Sequence, residues 1–228
     1  MRSVAVSFNP FASSVFRKQI LAASGLMIAG FLVIHLAGNL LLFRGPEVYN
    51  RYAFVMLSHP LIMVLEWLLA LVFAGHALLG LKIIADNRKA RPVPYVVRSV
   101  PQRRGNFSLI SMSVTGPAIL LFLLIHIFDF RFASLSTVLY EEVVMRDLYS
   151  AVVSTYQSPV TVTGYIFAML LVGLHLHHGF WSAFQSFGFW HERYNRFIEL
   201  TADFLSLTFV IGFVFIPLWF FLQGIVRS

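Results

Sequence analysis

The stretch Val160–Phe184, VTVTGYIFAMLLVGLHLHHGFWSAF, contains 25 residues and no Asp, Glu, Lys or Arg. An apolar helix needs roughly 20 residues to cross the hydrocarbon core of a bilayer, so this stretch predicts a transmembrane helix. It nevertheless contains three histidines, His175, His177 and His178. Because a polar side chain is costly inside a bilayer, an intramembrane histidine is by default a candidate functional residue.

Four further stretches have the same length and apolar character, so the sequence predicts five transmembrane helices. Their expected bounds are about 20–43, 60–85, 109–130, 160–184 and 204–222. We therefore expect an all-α fold, a membrane bundle of five helices that forms one integral membrane domain over residues 1–228.

The composition agrees with a membrane protein that has little chain left for a soluble domain. Of the 228 residues, 58% are hydrophobic and only 12% are charged, about half the usual charged fraction. The mean hydropathy is +0.78. The chain has no cysteine, which excludes c-type haem attachment, cysteine-ligated iron–sulfur clusters and disulfides within it.

The distribution of basic residues predicts the topology. The connection 86–108 carries six Arg or Lys and one Asp, and Arg17 with Lys18 precedes the first helix. Arg193 and Arg196 lie in the last connection. By the positive-inside rule, we expect these three regions to be cytoplasmic and the C-terminus to be outside. The first apolar run is too long for a cleaved signal peptide, so we expect its helix to be retained.

The long connection between the third and fourth helices carries several apolar residues. We expect it to include a short amphipathic helix on the outer surface of the membrane. The residues that suggest this are Leu139, Val143, Val144 and Leu148.

Four histidines lie in the second halves of four different predicted helices: His35, His76, His126 and His175. Because successive helices cross the membrane in opposite directions, His35 and His126 fall in the outer half. His76 and His175 fall in the inner half. The two resulting layers are about 10–15 Å apart on helical rise, so a single metal ion bound by all four residues is hard to build.

Two layers of paired histidines predict two haem b groups with bis-histidine ligation, one held by His35 and His126 and the other by His76 and His175. A flat macrocycle also needs room between helices, which small residues on the histidine faces can supply. The glycines in question are Gly38, Gly80, Gly116 and Gly179. Any one histidine or glycine could instead serve helix packing.

The fourth helix leaves the choice of ligand open. His178 follows His175 by three residues and lies about 60° away on the helix, so it can compete as the ligand. His177 points to nearly the opposite face. The two remaining histidines are expected at helix ends or in loops: His59 and His191.

The chain resembles the five-helix, dihaem cytochrome b anchor subunit of succinate dehydrogenases and fumarate reductases. The similarity covers nearly the whole chain, and its most specific motif is the last. The motifs are Ser24-Gly25-Leu26, HLAGNLLLF at 35–43, Glu66-Trp67 with His76, NRKARP at 87–92, and HLHHGFWSAFQSFG at 175–188. In this family the ligand of the fourth helix precedes the glycine–aromatic pair by four residues, which selects His175.

The resemblance implies the partners and the electron path. A flavoprotein subunit and an iron–sulfur subunit would bind the cytoplasmic face of a bacterial inner membrane protein. The haem of His76 and His175 would be proximal to the iron–sulfur subunit, and that of His35 and His126 would be distal. Electrons would pass between these subunits and a membrane quinone, usually menaquinone in dihaem members.

Quinol oxidation releases two protons, so a quinone site needs an acid–base group. Glu66 is the only carboxylate well inside an apolar segment, and Glu47 and Asp129 lie on the same outer side. We expect one of these three to serve a quinone site. Alternatively, Glu66 is an interfacial side chain that pairs with Arg44 or Arg51.

Three other functions compete with this interpretation. A dihaem cytochrome b of a hydrogenase or formate dehydrogenase would share the bis-histidine helices but not the motif at 179–188. A histidine-rich divalent-metal transporter would place its ligands at one mid-membrane depth rather than in two layers. A structural anchor would use the histidines for packing alone.

Overall fold

The computed structural model describes residues 13–90, 105–133, 135–189 and 191–227, and it is 86% helical. The described residues form seven α-helices and one β-hairpin. The helices are α1 (Ser14–Asn39), α2 (Pro46–Ser58), α3 (Pro60–Ala90), α4 (Gly105–Phe130), α5 (Leu148–Thr155), α6 (Pro159–Ser186) and α7 (Glu192–Arg227).

Five of these helices are long and apolar enough to cross a membrane, which confirms the predicted number. They are α1 with the 3-10 turn Leu40–Arg44 that continues it, α3, α4, α6 and α7. The structure is thus consistent with a multi-pass membrane protein.

The largest error in the predicted bounds concerns α7, which begins twelve residues before the apolar run at 204. Residues 192–203 contain five charged side chains, so hydropathy does not detect them as part of a span. They are helical nevertheless because the backbone hydrogen bonds of a helix do not require apolar side chains. With 36 residues, α7 is about 54 Å long, which exceeds the hydrocarbon thickness.

The connection between α4 and α6 departs from the purely helical fold that we expected. It contains an antiparallel hairpin of β1 (Thr137–Tyr140) and β2 (Val143–Arg146), followed by the short helix α5. Leu139, Val143 and Val144 therefore lie in strands, and only Leu148 lies in the expected short helix. Val143 and Val144 are β-branched, and β-branched residues favour strands. The two turn residues, Glu141 and Glu142, both adopt positive φ, as a two-residue hairpin turn requires.

Helix α2, the hairpin and α5 pack together at one end of the bundle, and we call this group the cap. Asn50 is fully buried within it. Its amide donates to Asp147 (3.0 Å) and its carbonyl accepts from the backbone N–H of Tyr149 (2.9 Å). Burial opposes ionisation of Asp147, but hydrogen bonds from Ser150 and Asn50 outweigh it and lower the pKa of this carboxyl. The buried amide thus links α2 to α5.

The end of the bundle opposite the cap, where α1 and α7 begin, is called the base. Helix α6 is central and packs against α1, α4 and α7, whereas α1 also packs against α3. At the base, Arg17 donates to Asp86 (2.8 Å) and joins α1 to α3. None of the residues of α3 is buried, which suits a helix whose apolar surface faces lipid.

Gly173 permits the close approach of α6 to α7, and its replacement tests this packing. A Cβ atom at this position would overlap the side chain of Val210, whereas one at Gly164 would meet no atom within 4 Å. We expect Gly173→Ala to destabilise the bundle by about 1–3 kcal/mol, the usual cost of overpacking. Gly164→Ala should leave the thermal unfolding transition in detergent unchanged or slightly raised. Equal transitions for the two variants would contradict this account of the α6–α7 contact.

Candidate functional site

The structure brings the four intramembrane histidines together as two facing pairs. The ring centroids of His35 and His126 are 5.9 Å apart, with an interplanar angle of 88°. Those of His76 and His175 are 6.3 Å apart, with an angle of 69°. These are the two pairs that helix direction and depth predict.

The pairs lie in two layers along the bundle. We call His35 and His126 the cap-side pair, and His76 and His175 the base-side pair. On α6, Tyr165 contacts the cap-side pair, and His175 follows it by ten residues. Helical rise therefore separates the layers by about 15 Å, the upper end of the expected range.

In the base-side pair, the Nδ1 atom of each histidine ring contacts a side-chain hydroxyl. Ser24 Oγ lies 3.0 Å from His76 Nδ1 and donates its own proton to the carbonyl of Leu21 (2.9 Å). With the Ser24 proton on the Leu21 carbonyl, the Nδ1–H tautomer of His76 is the donor in the first contact. His76 Nε2 then keeps a free lone pair. Thr115 Oγ1 lies 3.1 Å from His175 Nδ1, so both rings are held on the same nitrogen.

Two glycines leave space beside the base-side rings. A Cβ atom at Gly25 would lie 3.2 Å from His76 Cε1, and one at Gly116 would lie 3.6 Å from His175 Cε1. The expectation that Gly116 makes room beside His126 is wrong. Ten residues of helix separate the two by about 15 Å, so Gly116 belongs to the other layer.

The other three glycines serve ordinary packing. A Cβ atom at Gly38 would overlap the hydroxyl of Tyr52, so this glycine allows α2 to approach α1. At Gly80 and Gly179 the nearest side-chain atoms would be 3.9 Å away, a normal van der Waals contact. None of the three is close to a paired histidine ring in this structure.

Aromatic rings enclose the cap-side pair. Phe31 stacks on His35, with centroids 5.3 Å apart, and Phe122 stacks on His126 at 5.7 Å. Asn39 donates to the carbonyl of His35 at 2.8 Å, and its amide lies 3.4 Å from His35 Nε2. The site is therefore largely apolar.

Tyr165 connects the cap-side pair to a carboxylate, a link that sequence reasoning missed. Its hydroxyl lies 3.4 Å from His126 Nδ1 and donates to Asp129 Oδ2 at 3.1 Å. Asp129, a predicted quinone-site residue, thus lies behind His126 at the cap end. The only signal in the sequence was the single tyrosine of α6. Hydropathy does not distinguish a tyrosine that hydrogen-bonds to a site from one that only packs between helices.

Glu66 pairs with an arginine, although with neither of the two that the sequence suggested. Arg131 Nε lies 2.5 Å from Glu66 Oε1, and its Nη2 lies 3.3 Å from Oε2. This two-point contact joins α3 to the end of α4. The Glu66 side chain is 40% exposed and so stays accessible from the surface of the bundle.

Glu47 belongs to a charged group on the cap. Arg51 donates to Glu47 at 2.9 Å and to Glu141 of the hairpin turn at 2.6 Å. Both carboxylates are more than half exposed. Pairs of this kind contribute little to stability.

The remaining histidines have other surroundings. His177 Nε2 lies 2.7 Å from Asp203 Oδ1 on α7, and the His178 ring lies beside Trp181. It is therefore His175, and not its neighbours, that faces His76. The last two histidines accept backbone N–H groups at the starts of α3 and α7, as expected for helix ends: His59 and His191.

The geometry suits axial ligation of a macrocycle better than a bare ion. Within the described ranges there is no cluster of three or more His, Cys, Asp or Glu side chains that could hold a metal ion. Haem needs only two protein ligands, since its porphyrin supplies four nitrogens. Two opposed imidazoles bonded to one metal at about 2 Å have ring centres about 6 Å apart. The centroid separations of both pairs agree with this value.

Comparison with protein-family models, curated proteins and solved structures finds no match to this chain. The histidine pairs, the groups bonded to them and the sequence motifs are therefore the observations that bear on function.

Proposed function

We propose that the chain is the membrane-anchor cytochrome b subunit of a succinate dehydrogenase or fumarate reductase complex. The observation that carries this proposal is the presence of two facing histidine pairs in two layers of a membrane-length bundle. The motif at 175–188 supports this class of complex over the cytochromes b of hydrogenases and formate dehydrogenases.

The chain's own residues fit two haem b groups. His35 and His126 hold the cap-side group, and His76 and His175 hold the base-side group. Ligating histidines usually donate their second ring N–H to another group, which fixes the tautomer and the ring orientation. Ser24 accepts such a hydrogen bond from His76. Gly25 leaves the space that the His76 ring needs.

The two layers support an electron path with two stations, one near each end of the bundle. When bound, haem b supplies one-electron transfer between a membrane quinone and an iron–sulfur partner. The base faces the cytoplasm, where the flavoprotein and iron–sulfur subunits bind, and the cap lies on the outer side of a bacterial inner membrane. The N-terminus is then cytoplasmic and the C-terminus outside. The chemistry on the dicarboxylate belongs to the partner subunits, and menaquinone is the proposed quinone.

Glu66 is the proposed proton acceptor of the quinone site. It lies near the cap end of α3, is partly exposed and has Arg131 as its ion-pair partner. Arg131 fixes the position of the Glu66 carboxylate through two contacts, and a carboxylate is a group that can accept a proton from quinol. Glu47 lies outside the membrane-length helices, in the exposed cap group with Arg51, and Asp129 accepts a hydrogen bond from Tyr165, so Glu66 is the preferred candidate.

A reduced-minus-oxidised spectrum of the purified complex tests the central proposal. We expect b-type absorbance from two haems per chain. His175→Ala should remove one of them, since His175 faces His76, whereas His178→Ala should retain both. Absence of b-type absorbance in the unsubstituted complex would refute the proposal, and loss of a haem only in His178→Ala would refute the ligand assignment.

Substitution of Gly25 tests whether the space beside His76 is needed. The added Cβ of Gly25→Ala would lie 3.2 Å from His76 Cε1, tighter than an ordinary contact, whereas Gly30→Ala in the same helix meets no atom within 4 Å. We expect Gly25→Ala to lower the haem content from two toward one per chain. Gly30→Ala should bind two. Equal haem content in the two variants would show that the His76 ring tolerates the added methyl group.

Substitution of Glu66 tests the quinone site. Glu66→Gln keeps the side-chain volume but removes the proton acceptor, so we expect a loss of about 10²–10⁴-fold in quinol oxidation, with both haems retained. Glu142→Gln, in the exposed hairpin turn, is the control, and its complex should oxidise quinol at the unsubstituted rate. Unchanged turnover in Glu66→Gln would exclude Glu66 from the quinone site.

A further inference from the structure

The hydroxyl groups behind the two histidine layers differ in what lies beyond them. Behind His76, the Ser24 hydroxyl donates to the backbone carbonyl of Leu21, which is neutral. Behind His126, the Tyr165 hydroxyl donates to the side chain of Asp129. Each layer thus has a hydroxyl in contact with a histidine Nδ1. The Ser24 hydroxyl donates to a neutral backbone carbonyl, whereas the Tyr165 hydroxyl donates to a carboxylate.

The direction of the hydrogen bonds at His126 follows from the proton count. The Tyr165 hydroxyl has one proton, and a carboxylate can only accept, so that proton points to Asp129 Oδ2. The contact between Tyr165 and His126 must then use the Nδ1–H of His126 as donor. This leaves His126 Nε2 with the lone pair that an axial ligand needs.

The surroundings of Tyr165 hold its hydroxyl in place. The residue is only 7% exposed, and its ring makes edge contacts with Phe122 at 5.1 Å and Tyr156 at 5.2 Å. Loss of the hydroxyl alone should therefore leave the ring packed as it is. Within an environment of low polarity, the carboxylate also acts on its neighbours more strongly than it would in water.

We infer that Tyr165 and Asp129 are positioning residues for the cap-side haem, fixing the His126 tautomer and stabilising the oxidised iron through the negative charge behind that ligand. This inference rests on the proposed function. A carboxylate behind a ligating imidazole raises the basicity of the ligand, and hydrogen bonds and charge around the iron set its reduction potential. The base-side layer has no such carboxylate behind the Ser24 hydroxyl.

Redox titration of the purified complex, followed by the absorbance of each haem, tests this role. The component that disappears in His126→Ala is assigned to the cap-side haem. We expect Tyr165→Phe to raise the reduced-to-oxidised ratio of that haem several-fold to tenfold at a fixed applied potential. A tenfold change corresponds to 59 mV for a one-electron couple. The base-side component should not move.

Two further variants separate this role from a purely structural one. Tyr156→Phe removes a hydroxyl from the same aromatic cluster, where the ring contacts Tyr165 but not a paired histidine; it should leave both potentials unchanged. Asp129→Asn keeps the volume of the side chain but removes the charge, so it should raise the cap-side potential in the same direction. If Tyr165→Phe loses the cap-side haem, the potential in Asp129→Asn decides.

The outcomes distinguish the inference from the proposed function. A positive shift confined to the cap-side haem in Tyr165→Phe or Asp129→Asn supports the inference. Both haems bound with unshifted potentials in these variants, or an equal shift in Tyr156→Phe, would overturn it while leaving the dihaem proposal intact. Absence of haem from the unsubstituted complex would overturn both.

Discussion

A polar side chain inside a membrane-length helix bundle must find its partner within the protein, because hydrocarbon offers none. Each of the four paired histidines meets this constraint. Three of them contact a side-chain hydroxyl through Nδ1, and His35 lies beside the amide of Asn39. The hydroxyl contacts place particular faces of α1 and α3, and of α4 and α6, toward one another, so these histidines also specify how the helices are rotated.

The same constraint explains why the bundle has two different ends. At the cap, the fully buried Asn50 satisfies both its amide and its carbonyl by bonding to Asp147 and to the backbone of Tyr149. Near the cap, the ion pair between Glu66 and Arg131 joins α3 to the end of α4. At the base, Arg17 and Asp86 join α1 to α3. The cap is thus a packed structure with a polar centre, and the base has charged helix ends.

The role inferred for Tyr165 and Asp129 depends on an asymmetry between otherwise similar layers. Both contain a pair of rings about 6 Å apart, as two opposed ligands of one metal require. The layers differ in their surroundings, since glycines border the base-side rings and aromatic residues enclose the cap-side rings. Asp129 adds a carboxylate beyond the Tyr165 hydroxyl of the cap-side layer, whereas the Ser24 hydroxyl of the base-side layer donates to a backbone carbonyl. Two chemically similar sites can in this way have different electron affinities.

The five spans could be predicted from the order of the amino acids, because hydropathy over about 20 residues reports the bilayer thickness. The same order also predicted which histidines share a layer, since helical rise is constant and successive helices reverse direction. The partners of those histidines, such as Ser24 and Tyr165, and the pairing of Glu66 with Arg131 became visible only once the helices were packed. The same is true of the hairpin in the α4–α6 connection. These features depend on how helices rotate and pack laterally, and neither helical rise nor hydropathy contains that information.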